Sequence, residues 1–113
     1  MRLITDNITL AELKEMARKG FGVMVKAVVD IEKEIMAVNG ELHADEERLL
    51  LEKGSGQNNL WGINIYPDEP GDDFIEYDSM INVRPHYGNK SRGIDDKNIR
   101  DKVKKIVFKL VKK

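Results

Sequence analysis

The chain predicts an α+β domain: an antiparallel sheet of about four or five strands from two hairpins, helices packed on one face, and a closing C-terminal amphipathic helix. Three observations carry that expectation. Ile99, Val103, Ile106, Val107, Leu110 and Val111 recur at helical spacing. Val23–Ile31 is rich in β-branched residues, which favour a strand, although period alone leaves a buried helix open there. Leu60–Tyr66 and Phe74–Arg84 alternate in polarity on either side of the turn-rich stretch Pro67–Asp73, the pattern of an antiparallel hairpin.

The remaining elements follow in order. Leu3 and Ile4 begin a short strand. Thr9 and Glu12 have capping-box spacing ahead of Leu10, Leu13, Met16 and Ala17, and Gly20 and Gly22 end that helix. Ile35–Val38 is the partner of the Val23–Ile31 strand across a turn at Glu32 and Lys33, and Asn39-Gly40 marks the next turn. Asp45 is the expected N-cap of a helix reaching Lys53 and stopped by Gly54. Pro85–Gly93 reads as an irregular basic loop, after which Asp95 or Asp96 caps the final helix. That helix is expected to cover Trp61, Ile63, Ile65, Ile75, Tyr77, Ile81 and Val83.

With 113 residues, 41% of them hydrophobic, the chain is long enough for one core and too short for two, so residues 1–113 form a single domain. The absence of Cys excludes disulfides, thiolate metal sites and cysteine nucleophiles. No apolar run is long enough to span a membrane, and no secretory pattern is visible, so a cytoplasmic location without a membrane partner is expected. The net charge of −1 conceals segregation. Residues 30–78 carry fourteen acids and three bases, whereas residues 79–113 carry eleven bases and three acids. Either these segments lie side by side and neutralise one another, or they meet across copies in a homo-oligomer. A pI near 6.1 argues against nucleic-acid binding.

Three clusters are candidate chemistry. If residues 41–45 are extended, Glu41, His43 and Asp45 share one face at about 7 Å spacing, suited to a divalent metal or to a general base. The same acids suit a helix start. Asn64, Asp78, Asn82 and Arg84 form the polar side of the second hairpin, where Asp and Asn are poor strand formers. Arg84, Lys90 and Arg92, with Gly88 and Gly93, precede a helix N-terminus, which are the ingredients of an anion site. No Walker A motif, dinucleotide fingerprint or nucleophile elbow is present.

Val28–Glu32, Gly40–Asp45, Leu60–Pro67 and Ser79–Pro85, followed by Gly88-Asn89 and Arg92-Gly93, together resemble a small family of prokaryotic proteins known as a domain of unknown function. The resemblance spans nearly the whole chain. It implies a bacterial or archaeal cytosolic protein and assigns no activity, cofactor or catalytic residue. The leading expectation is therefore a binding module for an anionic small molecule or partner segment near Arg84, Lys90 and Arg92, in a hollow shared with the hairpin's polar side beside the closing helix. A metal-assisted hydrolase using His43 and its neighbouring carboxylates is the enzymatic alternative.

Overall fold

In the computed structural model, which describes residues 1–113, the chain runs β1 (Arg2–Ile4), β2 (Ile8–Thr9), α1 (Leu10–Lys19), β3 (Val25–Asp30), β4 (Ile35–Val38), α2 (His43–Glu52), β5 (Leu60–Ile65), β6 (Ile75–Glu76), α3 (Lys97–Leu110) and β7 (Val111–Lys112). Five strands make one antiparallel sheet in the order β1-β4-β3-β5-β6, and β2 pairs with β7 in a short parallel ladder. The α+β class, the antiparallel sheet and the closing helix are as the sequence predicts.

Local signals account for most boundaries. The capping box opens α1: the Glu12 N–H donates to Thr9 Oγ1 at 3.1 Å, and the Thr9 N–H donates to Glu12 Oε2 at 2.8 Å. Asp96 caps α3, accepting the Asn98 N–H at 2.8 Å. Asp95 instead braces the preceding loop through the Lys90 N–H and the Ser91 hydroxyl. Asp45 is not the cap of α2. That helix starts three residues earlier, with Leu42 at the N-cap position and no side chain capping it.

The β3–β4 turn is held by a buried carboxylate. Asp30 Oδ1 accepts the N–H groups of Glu32 and Lys33, both at 2.9 Å, and Oδ2 accepts the Ser55 hydroxyl at 2.6 Å. The turn also places Glu34 at φ 57, a left-handed conformation that needs such bracing. Asp30→Ala leaves these donors unpaired, and a loss of about 3 kcal/mol is expected. A urea-unfolding midpoint unchanged by the substitution would refute the role.

Strand alternation divides the core between the two faces. Val25, Ala27 and Val29 pack with Trp61, Ile63 and Ile65 under Leu13 of α1 and Val103, Ile106 and Val107 of α3. Val28, Ala37 and Leu60 point the other way and meet Leu50 of α2. Two helices thus share the expected face, while α2 covers the opposite one.

The largest departure from the sequence pattern is in residues 74–84, expected as one long strand. Only Ile75 and Glu76 join the sheet, pairing with Ile65 and Asn64. The chain then leaves the ladder and crosses β5 as a single 3-10 turn, Met80–Asn82, capped by the Ser79 hydroxyl accepting the Ile81 N–H. Gly62 permits the crossing, because a Cβ there would lie 2.5 Å from the Ser79 side chain. Consequently Ile81 packs in the α2-side cluster and not beneath α3.

Asn82 replaces the missing strand. Its Oδ1 accepts the Gly62 N–H at 2.8 Å, and its Nδ2 donates to Gly62 O and to Arg92 O, both at 2.9 Å. A second amide, Asn89, donates through Nδ2 to Asn82 O at 2.7 Å and Gly93 O at 2.8 Å. The acidic middle and basic C-terminal segments neutralise each other in part through Arg92–Asp78, Lys104–Asp72 and Lys109–Glu34. No helix is long and apolar enough to cross a membrane.

Candidate functional site

Because Val25 and Ala27 face the α1/α3 core, the intervening Lys26 faces the α2 side. In the antiparallel register Lys26 pairs with Asn64, and Asn64 pairs with Glu76, so three polar residues form a row across β3, β5 and β6. Helix α2 covers the neighbouring position, Val28, but not this row. The result is a groove of about 420 Å³ between the start of α2, the polar row and the segment Asp78–Ile81, with Arg92 at its margin. The volume lies within the ~300–1,000 Å³ usual for small-molecule sites.

His43 Nε2 lies 2.8 Å from Ile63 O. A carbonyl only accepts, so Nε2 carries the hydrogen and Nδ1 of the neutral ring is an acceptor. Burial holds this imidazole below its usual pKa, the bond to Ile63 opposing and nearby Lys26 reinforcing the effect, so the ring is neutral at pH 7. Asn64 donates through Nδ2 to Glu76 Oε1 at 2.9 Å and to Asp78 O at 3.2 Å. Its Oδ1 is buried without a partner. The Tyr66 hydroxyl also donates to Glu76 Oε1, at 3.1 Å, and Arg92 Nε donates to Asp78 Oδ1 at 2.7 Å.

Lys26 differs from these groups. It is half-buried, forms no ion pair, and sets its ammonium 5.0 Å from the Phe21 ring centroid. It and Glu76 are the charged groove residues absent from the sequence-based candidates. One signal was available for Lys26: it is the single charged residue within Val23–Val29.

The candidates therefore separate. His43, Asn64, Asp78 and Arg92 converge on the groove. Asn82 is fully buried and structural. Arg84 is also structural: Nη1 donates to Gln57 O at 2.7 Å, Nη2 to Leu60 O, and the guanidinium lies 4.3 Å from the Trp61 ring centroid. It sits at the Leu60 end of β5, about 13 Å along the strand from Asn64. Lys90 is exposed on the loop and does not line the groove.

Glu41, His43 and Asp45 do not share a face, because α2 begins at His43 and places Asp45 about 200° further round the helix. Asp45 pairs with Arg48 at 3.1 Å, Glu41 is exposed, and no group of three or more His, Asp or Glu side chains is positioned to hold a metal. The hollow also lies on the α2 face, not beside the closing helix. A larger depression of about 840 Å³ follows the outer face of α3 past Asn98, Lys102, Lys105 and Phe108, but Phe108 is its only apolar residue.

Fold and groove together define a small α+β domain with a mixed-charge cleft on its one-helix face. The chain belongs to the family described as Protein of unknown function (DUF5674), whose family model matches residues 2–110. No curated protein and no solved structure matches the chain.

Proposed function

We propose that the chain is a small binding module that takes an anionic small ligand in the Lys26 groove, with Lys26 and Arg92 as the cationic contacts. The observation that carries this reading is Lys26 itself, a half-buried residue at the groove whose ammonium forms no ion pair. A bound anion supplies the opposite charge that no side chain of the fold brings within ion-pair distance. The open first turn of α2 supports the reading, since Leu42, His43 and Ala44 line the groove and no side chain caps the helix. The cytoplasmic, prokaryotic setting expected from the sequence belongs to the same proposal.

Thermal unfolding with inorganic phosphate or pyrophosphate tests it. A ligand at 100 times its Kd stabilises the folded chain by about 2.7 kcal/mol. The Tm of the native chain is expected to rise with added anion, and that rise to vanish in Lys26→Met, which keeps the aliphatic stem. An equal rise in both proteins, or none in either, would reject the site.

A self-associating protein is the alternative reading, resting on the lysine-bearing outer face of α3 and the acidic surface around Asp68, Glu69 and Asp73. It expects a dimer in light scattering that dissociates as salt is raised. A monomer at low salt removes it.

A further inference from the structure

We infer that the groove's ligand is amphiphilic: an anionic head against Lys26 joined to a short apolar chain that packs between Leu42 and Met80. This deepens the binding reading proposed above and rests on it. The supporting feature is the groove's rim. Leu42 and Met80 are 57% and 65% exposed, and they line the groove from different elements, the start of α2 and the 3-10 turn after β6. Met24 and Ile81 line it as well, while Phe21 adds an exposed ring beside the Lys26 ammonium.

Leu42 is the more telling of the two. It occupies a helix N-cap, where Ser, Thr, Asp or Asn would accept a backbone N–H, and makes no capping bond. A large apolar side chain is thus exposed where a polar one would stabilise the helix, a local inconsistency of the kind expected at functional sites. Met80 is likewise exposed in a turn that nothing covers, and its flexible thioether chain adapts to variable apolar partners. Singly exposed apolar side chains need no explanation, but several around one concave, cation-floored groove mark a binding surface. A phosphate or carboxylate alone would leave that rim in water.

Calorimetric titration of the full chain with acetate, butanoate and hexanoate, and with inorganic phosphate as a head without a chain, tests the inference. Each methylene that leaves water between Leu42 and Met80 is expected to lower Kd about fourfold, the equivalent of ~0.8 kcal/mol. In the double variant Leu42→Ser/Met80→Gln, whose serine also suits the N-cap, that dependence is expected to flatten while phosphate binding persists. Binding that requires Lys26 but is indifferent to chain length would overturn the amphiphilic ligand and leave the anion site standing. No Lys26-dependent binding of any of the four anions would overturn both.

Discussion

Asn82→Ala is expected to lower stability by about 4 kcal/mol, because it removes a buried amide whose loss strands three main-chain groups at once. The Gly62 N–H and C=O and the Arg92 C=O are all bonded to this side chain. Asn82→Asp is nearly isosteric yet is expected to be no milder, since the carboxylate cannot donate and would face two carbonyl oxygens. Gly62→Ala should act on the same contact from the other side, as its Cβ would meet Ser79 at 2.5 Å. All three are measured as shifts in the urea midpoint. An Asn82→Ala protein within about 1 kcal/mol of the native chain would show that the amide does not stand in for a strand.

Glu46→Gln is expected to stabilise the protein at pH 8 while changing it little at pH 5. Glu46 is fully buried in α2; Oε2 accepts the Gly40 N–H at 2.9 Å, and Oε1 has no partner. Burial is the main cause that pushes its carboxyl from the usual 4.5 up to about 8, against the opposing effect of the Gly40 bond and of Lys26. The folded chain therefore keeps this proton where the unfolded chain has released it. Stability from this group is full below pH 4.5 and is lost as pH rises toward and through 8, by about 3 kcal/mol at pH 7. Glutamine keeps the acceptor for Gly40 and never ionises, so the gap between variant and native Tm should widen from pH 5 to pH 8. A gap independent of pH would contradict a protonated Glu46.

Features governed by local chemistry were readable in advance. The α3 stripe, the Thr9–Glu12 box and the β3–β4 hairpin depend on residues within a few positions of one another. The misread stretch was 74–84, where Ile75, Tyr77, Ile81 and Val83 satisfy a period of two. What ends the strand is Asp78-Ser79 turning over Gly62, and the partnership of Asn82 with Gly62 spans 20 residues of sequence. The two arginines of the basic stretch, expected to act together, separate for a similar reason: only the fold reveals that Arg84 lies against Trp61 while Arg92 reaches the groove. The metal cluster failed on one boundary, since α2 starting at His43 replaces strand alternation with helical rotation. Lys26 is not among the sequence candidates because nothing local shows that α2 covers Val28 and stops short of its neighbour.

Titration of ¹⁵N-labelled protein with inorganic phosphate separates the groove from the lysine-rich outer face of α3 most directly. Saturating shifts are expected at the amides of Lys26, His43, Asn64 and Arg92, with the last three unresponsive in Lys26→Met. Largest shifts at Lys102, Lys104 and Lys105, or no saturable shift near Lys26, would contradict an anion site in the groove.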